Sequence, residues 1–167
     1  LESLTQEQRK DEWWEDGWLR VFSDGSVKEP QDQRLSTGAC GIHFGKGHPY
    51  NTSTIVAGKA IDSYKAELQA VRLVVVGTRN WQEHIWLTLD NAAVVQDVNT
   101  YIDGSATKPK KDNSDIWEYL APELLRRAKQ GRLKCTLTKG HATIIGAHSS
   151  KRQHNSASSW HCCSKPC

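Results

Sequence analysis

The sequence of 167 residues contains no methionine and no long apolar run. A helix that spans a bilayer needs about 20 consecutive apolar residues. Residues 1–16 are charged and carry tryptophans, whereas a secretory signal would have an apolar segment there. We therefore expect no membrane segment and an intracellular location, either cytoplasmic or nuclear. Because methionine is absent and the chain begins with Leu1, we also expect it to be part of a larger polypeptide.

The five cysteines follow no regular spacing, so the sequence provides no evident disulfide framework. Cys40 and Cys135 lie in apolar, strand-like segments and are predicted to be small buried residues. The histidine and cysteines within residues 161–167 lack the paired spacing that is typical of zinc sites. The cysteines therefore indicate neither an extracellular disulfide protein nor a zinc module.

Acidic residues are absent after Glu123, although nine basic residues follow it. Residues 1–123 carry the other 13 basic residues and all 19 acids, so this part has a net charge of −6 within a chain of net charge +3. One interpretation is an acidic part that binds metal and a basic part that meets phosphates. The alternative is a solvated basic helix face followed by a basic tail.

Apolar patterning divides the chain into three strands, a helix, a strand, two helices and a last strand, which is typical of an α/β domain with a mixed sheet. We predict a polar, tryptophan-bearing lead-in over residues 1–18, a domain over residues 19–146, and a poorly ordered basic tail, rich in Ser, His and Cys, over residues 147–167. The predicted strands are residues 19–23, 37–44, 51–58, 84–90 and 132–139, the first three as an antiparallel meander, and the predicted helices are residues 63–76, 91–98 and 114–128.

Two predicted strands end on an aspartate, Asp24 and Asp90, and the predicted helix between them carries Glu67 on its apolar side. Asp24 is followed by Gly25 and Ser26, which predicts that the strand ends there in a tight turn. Taken singly, Asp24 is an ordinary turn residue. Glu67 fits a satisfied glutamate near a helix N-terminus as well as it fits a ligand.

The three acids together favour a more specific chemistry. If they meet at one edge of the sheet, their mutual repulsion requires cations. Mg²⁺ prefers oxygen ligands and takes its remaining ligands from water and substrate phosphate. Two such ions about 3.5–4 Å apart support hydrolysis of a phosphodiester.

The motifs, in this order, resemble those of the type 1 ribonuclease H family, including the domains attached to retroelement reverse transcriptases. The resemblance implies an RNase H-like fold, in which three antiparallel strands and two parallel additions form a mixed five-stranded sheet flanked by helices. It also implies hydrolysis of the RNA strand of RNA/DNA hybrids with Mg²⁺ or Mn²⁺. The matching residues within 20–146 are Asp24-Gly25-Ser26, Gly38-Ala39 with Gly41, Ala66-Glu67-Leu68-Gln69-Ala70, Thr88-Leu89-Asp90-Asn91, Asn113-Ser114-Asp115-Ile116-Trp117 and Lys139-Gly140-His141.

By this resemblance, Asp24, Glu67 and Asp90 are catalytic metal ligands, and His141 assists water activation or product release. Asn113 is implied to contact the sugar edge, where the 2′-hydroxyl distinguishes RNA from DNA. Substrate contacts are also implied for Gly25, Ser26 and Asn91.

Basic residues outside the motifs are candidates for contacts with backbone phosphates, which give affinity without sequence choice. The alternative for each of them is a solvated surface base. These candidates are Lys108, Lys110, Lys111, Arg126 and Arg127.

The sequence departs from the family pattern at the fourth carboxylate, ten residues after His141, where Lys151 stands. A lysine ammonium at that position would oppose a second cation; the alternatives are that it neutralises the carboxylate cluster or contacts a phosphate directly. Two functions therefore remain open: a hydrolase weakened by the missing acid, and an inactive module that binds nucleic acid or serves in the assembly of a larger complex.

Overall fold

The computed structural model describes residues 1–2, 4–28, 37–56, 58, 61–106 and 111–138. Two short 3-10 turns lie near the N-terminus, at Gln6–Gln8 and Asp11–Trp13. The strands are β1 (Trp14–Glu15), β2 (Trp18–Lys28), β3 (Thr37–His43), β4 (Thr52–Val56), β5 (Ile85–Leu89) and β6 (Leu133–Leu137), and the helices are α1 (Ser63–Gly77), α2 (Ala92–Ile102) and α3 (Ser114–Lys129).

The strands form one mixed sheet in the order β4-β3-β2-β5-β6, with β1 paired to β2. Strands β2, β3 and β4 are antiparallel neighbours, whereas β5 and β6 are added in parallel. The predicted mixed sheet of three antiparallel strands and two parallel additions is confirmed.

The sixth strand, β1, was missed from the sequence. It pairs Trp14 with Leu19 and Glu15 with Trp18, so that two residues connect it to β2. These residues, Asp16 and Gly17, both have positive φ angles, 51° and 80°. Asp-Gly at two positive φ positions is the composition of a tight hairpin turn, so the signal was present in the lead-in.

The predicted turn after Asp24 is wrong, because β2 continues through Asp24, Gly25 and Ser26 as far as Lys28. These residues keep their antiparallel pairing with β3, and Asp24 lies opposite Gly41. The parallel pairing with β5 ends earlier, at Phe22 opposite Thr88. Asp24 therefore lies in a part of β2 that is still paired with β3 but is no longer paired with β5.

Gly25 is required for close packing, since it lies in strand β2 and not in a turn. A Cβ atom at this position would lie 2.5 Å from the backbone nitrogen of Glu67 and 2.7 Å from the carbonyl carbon of Ala66. Such distances are shorter than van der Waals contact, so only glycine lets α1 cross β2 this closely. Asp62 caps the helix by accepting a 2.7 Å hydrogen bond from the Lys65 amide.

The three helices pack on one face of the sheet and share a single core with β2, β5 and β6. The sequence supports this because apolar residues recur at helical spacing in each helix and at alternate positions in β2. Each fully buried aliphatic side chain contributes about 1.5–3 kcal/mol. Core residues from these elements include Leu19, Val21, Leu68, Val71, Val74, Leu87, Val94, Val98, Leu120, Leu124 and Cys135. Cys40 is buried as well, so the prediction for both cysteines is confirmed.

The lead-in is bound to the domain through Trp13 of the lead-in and Trp81 of the domain. Trp13 is buried, donates its indole N–H to the Lys46 carbonyl at 3.1 Å, and packs 4.3 Å from the His48 ring. Trp81 in turn donates to the carbonyl of Leu1 at 3.1 Å. Among the described residues, no helix combines the length and the apolar character needed to cross a membrane.

Candidate metal centre

Three elements that are distant in sequence bring Asp24, Glu67 and Asp90 together. Phe22 lies opposite Thr88 in the parallel pair β2–β5, so Asp24 and Asp90 are at the same level two residues later, just beyond the end of β5. Glu67 begins the second turn of α1, the helix that crosses β2 at Gly25. One carboxylate oxygen from each residue lies within 4.8 Å of the other two.

Glu67 is the buried member of this carboxylate cluster, with 2% of its surface exposed, whereas Asp24 and Asp90 are exposed. Its Oε1 accepts a 2.7 Å hydrogen bond from the Gly25 amide. Its Oε2 is buried and accepts no hydrogen bond from the residues described. One oxygen of Glu67 is thus held by the backbone, while the other has an unmet requirement for a positive partner.

The electrostatics of the cluster favour uptake of positive charge. The pKa of Glu67 is raised to about 9, mainly by burial, although the hydrogen bond from the Gly25 amide opposes the shift. A hydrogen bond to the Asp90 side chain and the negative charges of Asp90 and Asp24 also contribute to the increase. A carboxyl group in such surroundings either keeps a proton or pairs with a cation.

The ligand set fits a divalent cation. All three side chains offer carboxylate oxygens, which suit Mg²⁺ and Mn²⁺ better than softer metals. The Oε2 atom of Glu67 is buried and receives no hydrogen bond from the described residues. A bound cation would give this oxygen the positive partner that it lacks. Asp24, Glu67 and Asp90 are therefore the residues that would hold the metal.

The residues predicted to contact substrate have different local roles. The Gly25 amide is engaged by Glu67, and the Asn91 side chain caps α2 by accepting hydrogen bonds from the amides of Ala93 and Val94, at 3.1 and 3.2 Å. Ser26 is exposed on β2 beside the cluster. Both Gly25 and Asn91 thus organise the backbone around Asp24 and Asp90.

Asn113 precedes α3 in a left-handed conformation, with φ 56° and ψ 35°, and its side chain does not cap the helix. An ion pair between Lys65 and Asp115, at 3.3 Å, brings the start of α3 to the first turn of α1, two residues before Glu67 in the chain. Asparagine tolerates this backbone conformation better than most residues. The side chain of Asn113 therefore does not cap α3. Asn113 lies on the same side of the domain as the N-terminus of α1.

The basic candidates divide into three groups. Lys111 is exposed on the loop before α3, and Arg126 is partly exposed. Arg127 is 1% exposed and donates hydrogen bonds to Thr78 and to the Glu83 carbonyl, so the prediction that it contacts phosphate is wrong. It faces the core because it lies on the same side of α3 as Leu120 and Leu124. Lys108, Lys110, His141 and Lys151 lie outside the described residues.

Comparison with known proteins gives no match to a family model and no match to a curated protein at the sequence level. Solved structures do match. The RNase H domain of prototype foamy virus, solved in solution, is 17% identical, with a TM-score of 0.54 over 73% of this chain and 79% of that one. LC11-RNase H1, isolated from compost by a metagenomic approach, is 12% identical, with a TM-score of 0.50 over 77% of this chain and 89% of that one.

A third structure is larger than this chain. The foamy viral protease-reverse transcriptase in complex with an RNA/DNA hybrid is 14% identical, with a TM-score of 0.58 over 91% of this chain. The matched region is 21% of that protein, so this chain corresponds to about a fifth of it. At these identities the comparisons establish the fold.

Proposed function

We propose that this domain, which has the ribonuclease H-like fold, is a metal-dependent endonuclease that hydrolyses the RNA strand of RNA/DNA hybrids. The observation that carries the proposal is the meeting of three carboxylates within 4.8 Å, one of them buried with an oxygen that lacks a donor. A neighbour of the same fold binds an RNA/DNA hybrid, which supports the substrate class. We further propose that the domain acts inside the cell as part of a larger polypeptide of the retroelement type.

Different residues of the chain would bind the metal and the substrate. When bound, Mg²⁺ or Mn²⁺ would activate a water molecule and stabilise the leaving oxygen of the phosphodiester. Asp24, Glu67 and Asp90 would hold the metal, and the Gly25 amide keeps the Glu67 carboxylate oriented. Burial of Glu67 strengthens its attraction for a cation, since fewer water molecules screen the charge.

Residues around the cluster would place the hybrid. Asn113 would contact the 2′-hydroxyl side of the RNA strand, and Lys111, with Lys108 and Lys110, would neutralise backbone phosphates. His141 would assist proton transfer to or from water, or the release of product, as the family resemblance implies.

Cleavage of a labelled RNA/DNA hybrid with Mg²⁺ or Mn²⁺ tests the proposal. We expect Asp24→Asn to lower the rate at least about 100-fold, because it removes charge from the centre that stabilises the transition state. Asp16→Asn is the matched control, since Asp16 is exposed at the β1–β2 turn, where Asn also tolerates the positive φ of 51°. Cleavage that survives Asp24→Asn, or no cleavage with either metal, would contradict the proposal.

One observation favours the second function, a module that binds the hybrid without cleaving it: Lys151 occupies the position of the fourth acid, and no acid follows Glu123. If the missing acid limits the rate, Lys151→Asp will raise cleavage, because the lysine charge opposes a second cation. If the domain binds the hybrid with micromolar affinity or better while neither the wild type nor Lys151→Asp cleaves it, the binding function replaces the enzymatic one. Fluorescence anisotropy of a labelled hybrid measures that affinity.

A further inference from the structure

The face of the sheet opposite the helices carries aromatic and basic side chains. Along β2, Leu19, Val21 and Ser23 are buried towards the helices, so the alternating residues Trp18, Arg20 and Phe22 face the other side. All three helices contribute to the core that contains Leu19 and Val21. Within the described residues, this second face therefore carries no helix.

Strand register aligns the side chains of this face in a row across three strands. Arg20 lies opposite Trp86 in the parallel pair β2–β5, and Trp86 lies opposite Lys134 in the parallel pair β5–β6. The guanidinium carbon of Arg20 is 4.6 Å from the centre of the Trp86 ring, and the Lys134 ammonium is 3.6 Å from the same centre. The row is thus cation, indole, cation.

Two more rings extend the row along β2. Arg20 also lies 4.8 Å from the Phe22 ring, and Lys134 lies 4.6 Å from the Trp18 ring. The Trp86 indole N–H donates to the Thr136 hydroxyl at 2.7 Å, which fixes the orientation of the central ring. We call the surface formed by Trp18, Arg20, Phe22, Trp86 and Lys134 the aromatic–cation face.

The two cations keep most of their charge, because aromatic rings hold a cation in place without neutralising it. Among the described residues Lys134 forms no ion pair, and Arg20 pairs with one acid, Glu15, at 2.6 Å on the surface. Phe22 is 38% exposed. The face therefore offers the charge of Lys134 and the partly compensated charge of Arg20 beside accessible aromatic surface.

Charge complementarity favours an anionic occupant. Residues 139–167 of this chain carry Lys139, Lys151, Arg152 and Lys165 and no acid, so the tail does not complement two cations. Phosphates complement them, and unpaired bases add apolar rings that stack on aromatic side chains. Bases in a duplex already stack on each other, so a single strand uses this face better than a duplex.

The position of the face links it to the carboxylate cluster. Trp18, Arg20, Phe22 and Asp24 alternate along β2, and the span from Trp18 to Asp24 is about 20 Å at the usual rise of a strand. A single strand that leaves the cluster would meet Phe22 first and then the two cations.

We propose that the aromatic–cation face binds single-stranded nucleic acid, with Arg20 and Lys134 on backbone phosphates and Phe22 and Trp18 against bases. This binding goes beyond the proposed hydrolysis and does not depend on it. It is therefore tested in the chain of residues 1–167 that carries Asp24→Asn, by the anisotropy of a fluorescent oligouridylate of about 12 nucleotides, a length in the usual range of single-strand sites.

The first pair of variants separates the face from general surface charge. Lys134→Gln is expected to raise the dissociation constant about threefold or more and to lower the slope of log K against log salt by about 0.7, as for one lost phosphate contact on a single strand. Lys129→Gln, an exposed lysine of α3 outside the face, is expected to change neither quantity. Equal effects of the two variants would overturn the proposal.

The second pair separates stacking from charge. Phe22→Ala is expected to weaken binding with an unchanged salt slope, whereas Tyr119→Ala, which removes a 57% exposed ring on α3, has no effect. Circular dichroism confirms that each variant is folded. Absence of oligouridylate binding at low salt overturns the proposal for this face, while hybrid cleavage by the protein with Asp24 intact remains a separate test of the proposed hydrolysis.

Discussion

At the scale of single residues, glycine and glutamate act as a pair in this domain. Gly25 lets the backbone of α1 approach β2, and its amide then binds the Glu67 carboxylate at 2.7 Å. The buried acid is tolerated because one of its oxygens has this partner, while the other faces a cluster suited to a cation. A residue that the sequence identified as part of a turn is thus the point at which strand, helix and carboxylates meet.

We predict that Gly25→Ala lowers the free energy of unfolding by about 1–3 kcal/mol, because its Cβ would overlap the backbone of α1. Gly41→Ala is the matched control, since Gly41 pairs with Asp24 in β3 and its Cβ would lie 3.8 Å from the nearest atom, an ordinary contact. Urea unfolding measures both. If Gly25→Ala is as stable as Gly41→Ala, close packing is not the reason for the glycine.

His48 provides a second prediction at this scale. It is 3% exposed, stacks 4.5 Å from the Phe44 ring, and its Nδ1 accepts a hydrogen bond from the Tyr50 amide at 3.2 Å. Burial lowers the pKa of His48 from 6.5 to about 4, and the nearby charge of His43 contributes in the same direction. The folded protein therefore favours the neutral ring.

Because the unfolded chain takes up this proton more readily, the stability contributed by neutral His48 is fully present above pH 6.5 and is lost as the pH falls towards 4. We expect the free energy of unfolding to fall by at most about 3 kcal/mol over this range. Denaturant titrations at several pH values measure the slope. His48→Gln should reduce it and the exposed His84→Gln should not; an unchanged slope in His48→Gln would contradict the assignment.

At the scale of elements, the contact between α1 and α3 depends on a buried arginine. Thr78 ends α1 by donating its hydroxyl to the Val74 carbonyl at 2.7 Å, and Arg127 of α3 donates to both the hydroxyl and the carbonyl of Thr78. Burial lowers the pKa of Arg127 to about 10, with the charge of Arg126 as the next cause. The Arg127 guanidinium, which projects from α3, thus donates hydrogen bonds to Thr78 at the C-terminal end of α1.

We predict that Arg127→Met lowers the free energy of unfolding by about 2 kcal/mol or more, because the carbonyls of Thr78 and Glu83 lose a donor while buried. Arg126→Met, which breaks a partly exposed ion pair with Glu123, should cost less than about 1 kcal/mol. Thermal unfolding measures both variants. Similar losses in the two variants would contradict the structural role of Arg127.

At the scale of the whole molecule, the carboxylate cluster links β2, α1 and the end of β5. A cation that binds all three acids binds only the folded chain, so it must stabilise the fold. We predict that Mg²⁺ at about 100 times its dissociation constant raises the free energy of unfolding by about 2.7 kcal/mol.

The metal prediction is measured by thermal unfolding with MgCl₂ and with NaCl of equal ionic strength. Asp90→Asn should abolish the difference between the two salts, and Asp16→Asn should preserve it. An equal stabilisation of wild type and Asp90→Asn by Mg²⁺ would place the bound cation elsewhere on the protein.

The parallel addition of two strands was implied by the family resemblance, whereas sequence patterning alone predicts the α/β order, the antiparallel start of the sheet and the burial of Cys40 and Cys135. Such features follow from local patterning, because the alternating or helical spacing of apolar residues can be recognised within a few residues of sequence. Asp90 after a strand and Glu67 on the apolar side of a helix are recognisable positions, whereas Asp24 was grouped with them from a predicted strand end that lies within β2 in the structure. The β1–β2 hairpin was also predictable from Asp16-Gly17, although it was missed.

Three features follow from tertiary contacts alone: β2 continues past Asp24, Gly25 serves helix packing, and Arg127 is buried. Each of these depends on a neighbour distant in sequence: β3 extends the pairing of β2, α1 crosses Gly25, and Thr78 accepts hydrogen bonds from Arg127. The aromatic–cation face depends in the same way on the register of three strands. Local sequence specifies which face of an element is apolar, but contacts between elements determine what each polar residue on it does.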